Sequence, residues 1–576
     1  MLHVNRLFTR TQRTVAVTVA LAVCALLLTA HPAAAQITVV DDPEFGGGIN
    51  TSMVLDATTG FPIIAYGADA DDGFFSVTLK LAYCNDLVCT NPTIVTVDDG
   101  QNVGVYNSIQ LNASGFPVIA YHDNQNDKLK LAVCNDATCS NPTLTTLDVA
   151  GEPGQYNTLV LGPNDYPIIA YYENDGRDLE LVYCSDVNCA TTPTVVVVDA
   201  GGWTGSYAEM VLNASGFPVI SYRAQPGGRR GADELRLAVC NDATCTNPTF
   251  TTITNDGAFS DNSIVLDASG FPLITYSNPG TTGRPLVLVN CNDATCTTPS
   301  FTTVDFNNEA SVTVGAFNTI VLDGGGLPLI SYHDRTSGAL KLAVCNDVTC
   351  SNPDVRIVDS GNSGADIGRF NSLVLDASGN ALISYHDGVN DSLKLAVIEF
   401  NAPEVGVAVP PATVTAYTAT VDIQVQYIDD VAINPASIDT NDIIVSGGAT
   451  VTGAVTSDSG SIVTATYTVT GPGGDFDIFD NGTFSVSVAA DEVADTSGNT
   501  VSAAVIIPAF EVNISRGSPY DVNADGVITP ADAVYVVNRI GQTKNGNNAA
   551  ADVNNDDVID AADADLIVTQ IGEALP

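Results

Sequence analysis

The sequence predicts a mainly β chain: seven four-stranded repeats closed into a seven-bladed β-propeller, then a β-sandwich, then a small α-helical calcium-binding domain. Three observations carry that expectation. A cysteine pair recurs every 50–56 residues between Cys84 and Cys350. Cysteines then cease, and alternating Val/Thr-rich stretches follow. Two copies of a twelve-residue acidic loop close the chain.

Residues 1–35 read as an export signal. Arg6, Arg10 and Arg13 precede the apolar run Val15–Ala30, and small residues end at Ala35. Cys24 lies in "LAVC", as in a lipoprotein signal. Bulky Val23 before it, and the apolar run continuing past it, argue against lipidation. No later stretch has the roughly 20 apolar residues of a spanning helix, so no membrane insertion is expected. The expected location is secreted or extracellular, free or attached to a cell surface.

The whole chain carries 20 basic and 66 acidic side chains, a formal charge of −46. Removing the three signal arginines takes the mature chain to −49. Such a balance excludes nucleic acid as partner, because phosphate backbones need a basic footprint.

The repeat is clearest at 106–148, "YNSIQLNASGFPVIAYHDNQNDKLKLAVCNDATCSNPTLTTLD". Four short stretches rich in Val, Ile, Thr and Tyr, punctuated by Gly, Pro, Asn and Asp, read as four antiparallel strands. Radial repetition of such units over residues 36–400 gives a propeller, which protects its sheet edges. The seventh copy, at 370–400, has Ile398 in place of the cysteine and stops after its third strand. "QITVVDD" at 36–42 resembles the fourth-strand stretch "PTIVTVDDG" at 92–100, so the mature N-terminus is expected to complete the seventh unit.

The twelve mature cysteines pair off as Cys84 with Cys89, Cys134 with Cys139, Cys184 with Cys189, Cys240 with Cys245, Cys291 with Cys296 and Cys345 with Cys350. Export and even numbers point to disulfides. Zinc needs about four converging ligands, and these pairs fall on different units. Redox chemistry favours C-x-x-C spacing, which is absent.

In a propeller the constant "DASG" turns and cysteine loops share one face, and the loops of variable length share the other. Rigid frames with variable loops bind through those loops. Asn50, Asn107, Asn157, Asn262, Asn318 and Asn371 are read as opening the inner strands, with Ala208 in the fourth copy. A Tyr ends every second strand, and three copies continue into His122, His333 and His386. Repeat-wide residues usually serve the frame. The binding reading makes Asn107, Asn318, Asn371, His122, His333 and His386 candidates for a glycan or peptide ligand. No Ser-His-Asp or HExxH pattern stands out, and no catalytic residue is assigned.

Residues 401–509 alternate in the manner of a β-sandwich, as in "TVDIQVQYID" and "TATYTVTGP". The closing "GTFSVSVAADEVADTSGNTVS" resembles bacterial Ig-like modules, which implies a spacer or adhesion role. Residues 510–517 are read as a linker.

"DVNADGVITPAD" (521–532) and "DVNNDDVIDAAD" (552–563) place oxygen donors at alternating positions of a tight loop, a calcium pattern. The first set is Asp521, Asn523, Asp525, the Val527 carbonyl, Thr529 and Asp532. The second is Asp552, Asn554, Asp556, the Val558 carbonyl, Asp560 and Asp563. Position 12 is Asp rather than Glu, and a helix follows each loop with none before it. This combination resembles a type I dockerin over 518–573, within a domain read as 518–576. The resemblance implies two calcium ions and a cohesin-like partner, although Pro530–Ala531 and Ala561–Ala562 replace the hydroxyl residues that often select the cohesin.

The expected function is that of a secreted modular binding protein. Its propeller holds an extracellular ligand such as polysaccharide, and the C-terminal module gives calcium-dependent attachment. Rival readings are a polysaccharide hydrolase or lyase with its site on the variable face, and a structural surface protein.

Overall fold

A computed structural model describes residues 35–571 except 44–45, 70–76, 148, 229–231, 256–260, 279–283, 307–312, 361–365, 401, 457–458, 478–479, 497–498, 502–503, 515–517, 519, 523–526 and 545–547. The predicted export signal and parts of several variable loops lie outside the described residues.

Residues 36–398 form seven four-stranded antiparallel sheets, propeller-like in their repetition. The second is typical, with strands Val103–Leu111, Pro117–Asp123, Lys128–Val133 and Thr143–Thr146 in chain order. Its second strand, PVIAYHD, is buried along its whole length. That burial follows from neighbouring sheets covering both of its faces. The seventh sheet takes Ile367–Leu375, Ala381–Asp387 and Ser392–Ile398 from its own repeat, and its fourth strand is Gln36–Asp41. The added strand runs antiparallel, with Gln36 opposite Val397 and Asp41 opposite Leu393.

Successive sheets are joined by hydrogen bonds at their inner strands. Ser52 Oγ accepts from the Ile109 amide, Ser108 Oγ from Leu159, and Ser372 of the seventh sheet from Met53 of the first. At the seams an ion pair repeats. Asp98 ends the first sheet and accepts from Tyr121 and Lys130 of the second. Asp199 meets Tyr222 and Arg236, Asp305 meets Tyr332 and Lys341, and Asp359 meets Tyr385 and Lys394. Burial raises a carboxyl's pKa, but hydrogen bonds from Lys130 and Tyr121 outweigh it and hold Asp98 below its ordinary range.

The six disulfides form within the loops between third and fourth strands, with Cα atoms 4.7–4.9 Å apart. "CNDATC" closes because Asp136 accepts from the amides of Thr138 and Ser140, while Asn135 donates to the Asn141 carbonyl. Cys139 then turns through the left-handed region at φ 57°.

A second β unit follows. One sheet orders Glu404–Val409, Thr420–Ile433, Gly460–Thr470 and Thr450–Thr456; the other orders Ile443–Val445, Gly482–Val488 and Val505–Val512. Both share one core, in which Val425 and Tyr467 meet Phe484, Val486 and Phe510. The last strand continues to Val512, and Ile514 is buried in that core. Three residues predicted as linker, 510–512, are therefore strand. The unit abuts the seventh sheet where Asn499 donates to the Phe400 carbonyl and Phe400 N–H donates to Asn380.

Among the described residues the α-helices are α1 (Pro530–Val537) and α2 (Ala561–Gln570), both at the C-terminus. None is long and apolar enough to cross a membrane.

Candidate functional site

The inner strands converge on a cavity of about 180 Å³. Its walls follow from the backbone at each strand's start. Gly104 sits at φ +89°, and a Cβ there would lie 2.8 Å from the Leu79 Cα, so only glycine fits. Two residues later an aromatic is also left-handed: Tyr106, Tyr156, Tyr207, Phe317 and Phe370 all have φ of 50–53°. Bulky residues rarely adopt this conformation, and such outliers cluster at ligand sites. These five rings line the cavity. The Tyr156 ring lies 4.7 Å from that of Tyr106 and 4.5 Å from that of Tyr207, and Phe317 and Phe370 are 4.6 Å apart. Burial and mutual repulsion push the Tyr106 and Tyr207 hydroxyls well above the ordinary tyrosine range.

The predicted asparagines reach this cavity in a different role. Asn107 donates to the Asn50 and Gly104 carbonyls, and Asn371 to those of Phe317 and Gly368. Asn318 donates to the carbonyls of Asp261 and Gly315. Each amide thus ties its own strand to the strand before it. The Asn371 and Asn318 oxygens accept from Ser331 and Thr275.

Asn50 is out of place in the predicted alignment. Ser52 pairs with Ala65 as Ser108 pairs with Ala120, so Thr51 is the counterpart of Asn107. Asn50 occupies the aromatic's left-handed position, at φ 51°. Asparagine tolerates that region better than most residues.

The histidines lie outward of the rings and are buried. His122 packs 6.2 Å from Tyr106, His333 6.4 Å from Phe317 and His386 6.3 Å from Phe370, centroid to centroid. Burial lowers all three pKa values, against the pull of nearby acids.

Glu209 is the cavity residue that the alignment passed over. Six repeats place Ser or Thr at this position, and the fourth substitutes Ala208–Glu209 for the usual Asn–Ser. The Glu209 side chain reaches the solvent of the cavity yet is ringed by protein. That confinement pushes its carboxyl up to about 8. The break in repeat symmetry was the available signal.

The acidic loops lie far along the chain from this cavity. In the second, Asp563 accepts from the amides of Val553 and Asn554 at the loop's start and from Asp560 near its end. Positions 1 and 12 of the loop are thereby drawn together. Asn555 and Asp557 take φ of 60° and 70°, the left-handed turn of this loop. Thr529 with Asp532, and Asp560 with Asp563, form capping boxes that start α1 and α2. Ile528 and Ile559 are buried together with Val536 and Ile567. Asn523 and Asp525 lie outside the described residues.

Residues 519–572 match the family model described as the dockerin type I domain. The C-terminal unit is a type I dockerin. Dockerin domains bind calcium and cohesins. The donor set of the second dockerin loop is all oxygen, which fits a hard cation. In the structure the Lys544 ammonium lies 2.7 Å from Asp552 and 2.8 Å from Asp557, so a cation already bridges this loop.

No curated protein matches the chain at a significant level. Among solved structures, a Dyadobacter fermentans protein of unknown function overlaps with TM-score 0.40 and 9% identity, covering 64% of this chain and 98% of its own. A Penicillium chrysogenum α-L-arabinanase complexed with arabinobiose gives TM-score 0.36 and 12% identity, covering 51% and 92%. A Lactobacillus brevis α-L-arabinofuranosidase gives 0.28 and 12%, covering 43% and 90%. Likenesses this remote assign no activity.

Proposed function

We propose that this chain is a secreted, non-catalytic binding protein in which a seven-bladed propeller holds an extracellular glycan and the dockerin tethers it to a cohesin-type partner. The observation that carries this reading is the dockerin match, because a docking module serves to bring another domain to a shared site. In this reading the strand Gln36–Asp41 closes the propeller, residues 401–512 are an Ig-like spacer, and residues 1–35 are removed on export. Each dockerin loop holds one calcium ion. The first takes it through Asp521, Asn523, Asp525, Val527, Thr529 and Asp532. The second uses Asp552, Asn554, Asp556, Val558, Asp560 and Asp563.

The axial cavity supports binding by its aromatic walls and its limited size. Rings offer flat apolar faces to sugars, and a frame tied strand to strand by asparagines keeps them fixed. The test is a glycan array on the full oxidised chain, followed by a reducing-sugar assay on every hit. Binding without turnover supports the proposal, and no hit on the array refutes it. For the dockerin, calcium titration by calorimetry should show two binding events and a gain of helix by circular dichroism.

One observation favours the hydrolase reading. Glu209, raised to about 8, shares the cavity wall with Asp261, and glycoside hydrolysis uses two carboxyl groups in separate roles. Sugar release that E209Q abolishes would establish it in place of simple binding.

A further inference from the structure

The seam between the fourth and fifth sheets departs from the others. At five of the seven seams an aspartate at the end of one outer strand meets a tyrosine and a lysine or arginine of the next sheet, as Asp41 meets Tyr66 and Lys80. Between the second and third sheets Glu180 stands in the lysine position and accepts from Tyr171. At the fourth seam Thr254 occupies the aspartate position, opposite Leu235 as Asp199 is opposite Leu179. Val287 occupies the lysine position, opposite Tyr276. Both charges of the ion pair are gone from a place where packing had left room for them.

The space remains as a cavity of about 400 Å³ opening at the molecule's side. Its floor is Ile253, Tyr276 and Val287, all nearly inaccessible to solvent. At its rim Phe301 exposes 48% of its surface, beside Asn255 and Thr303. Among the described residues that line it there is no lysine, arginine, histidine, aspartate or glutamate. The volume lies within the roughly 300–1,000 Å³ typical of small-molecule sites.

An aromatic face, a dry floor, and neutral amides and hydroxyls select for a ring that is apolar on one face and hydroxylated at its edge. A charged ring would lose its hydration here without gaining a counter-ion. We propose that this seam is a subsite for one neutral sugar residue, stacked on Phe301 and hydrogen-bonded by Asn255 and Thr303. The inference rests on the glycan-binding reading above and places a site on the propeller's flank, distinct from the axial cavity.

The test refills the space. The double variant T254D/V287K restores the ion pair found at the neighbouring seams, and F301A removes the exposed ring. Full-length oxidised protein is titrated with xylotriose, cellotriose, arabinotriose and trigalacturonate by calorimetry, with melting temperature measured in parallel. The expected result is a neutral trisaccharide that binds wild type. It should bind at least tenfold more weakly to T254D/V287K, whose melting temperature is equal or higher, and to F301A. Neutral binding that survives both variants refutes this site and leaves glycan binding standing. Preference for trigalacturonate refutes the neutral subsite. Binding of none of the four refutes both readings. If the double variant does not fold, F301A decides alone, since its side chain is half exposed and outside the packed core.

Discussion

The carboxylate of Asp41 accepts a hydrogen bond of 2.5 Å from the Tyr66 hydroxyl, and the Lys80 ammonium lies 3.3 Å from the same oxygen. Asp41 belongs to the seventh sheet, and Tyr66 and Lys80 to the first. One residue at the end of an added strand therefore joins the two ends of the repeat array. Removing one member of a part-buried pair strands the other, a penalty that solvent at Lys80 reduces. D41A should cost about 2 kcal/mol in urea denaturation, and D41N less. An unchanged midpoint in D41A would show that this contact contributes nothing to stability.

His122 is fully buried, and neither ring nitrogen has a hydrogen-bond partner among the described residues. Burial depresses its pKa against the opposing pull of Asp127, Asp123 and Glu152. The unfolded chain then binds the proton more readily than the folded one. Stability is full above the ordinary value of about 6.5 and falls as pH drops through it toward the lower folded value. H122L should lessen the fall of the melting temperature between about pH 6.5 and 5, with the depressed His333 and His386 retaining the remainder. A slope unchanged from wild type would exclude His122 as its source.

Each disulfide closes a very short loop, so its constraint on the unfolded chain is small, about 2 kcal/mol in the chain-entropy model. C134S/C139S should lower stability by roughly that amount. D136A, which removes the acceptor for four loop donors, should weaken the turn independently. The two effects are read by thermal melts with and without reductant. In excess reductant all bridges open in both proteins, so C134S/C139S and wild type should then melt at nearly the same temperature.

Lys544 competes for the second dockerin loop. Its ammonium bridges Asp552 and Asp557, and those carboxylates raise its pKa. With calcium held as proposed, the ion reaches Asp552 by displacing that bridge. K544Q should tighten calcium binding at this loop two- to threefold in calorimetry at low salt, with less gain at high salt. Weaker binding in K544Q would mean that the lysine organises the loop instead.

Much of this architecture was legible because it repeats. Cysteine spacing located the sheets, and the likeness between 36–42 and 92–100 identified the strand that pairs with Ser392–Ile398. The dockerin was legible because its acidic twelve-residue loop occurs twice with a helix after each copy. Contacts between repeats were harder to see. Asp98 and Lys130 are 32 positions apart, and only the fold brings one sheet's end against the next sheet's third strand. Asn50 was misaligned because residue type suggested a match, whereas register is set by the left-handed glycine and the bulge after it. Glu209, Val287 and Thr254 share one character: each breaks a pattern that its sister repeats keep. In repetitive chains the informative residue is the exception, and the frame's regularity hides it.

The pairing of Gln36 with Val397 also orders events during synthesis. The first strand to be made must wait, unpaired, until more than 350 further residues have been added before its partner exists. Contacts so distant in sequence form slowly. Through that interval two strand edges, one at each end of the growing array, are open to pairing with other chains. Chains cut short before residue 392 keep both edges permanently, so incomplete products should aggregate while the finished chain does not.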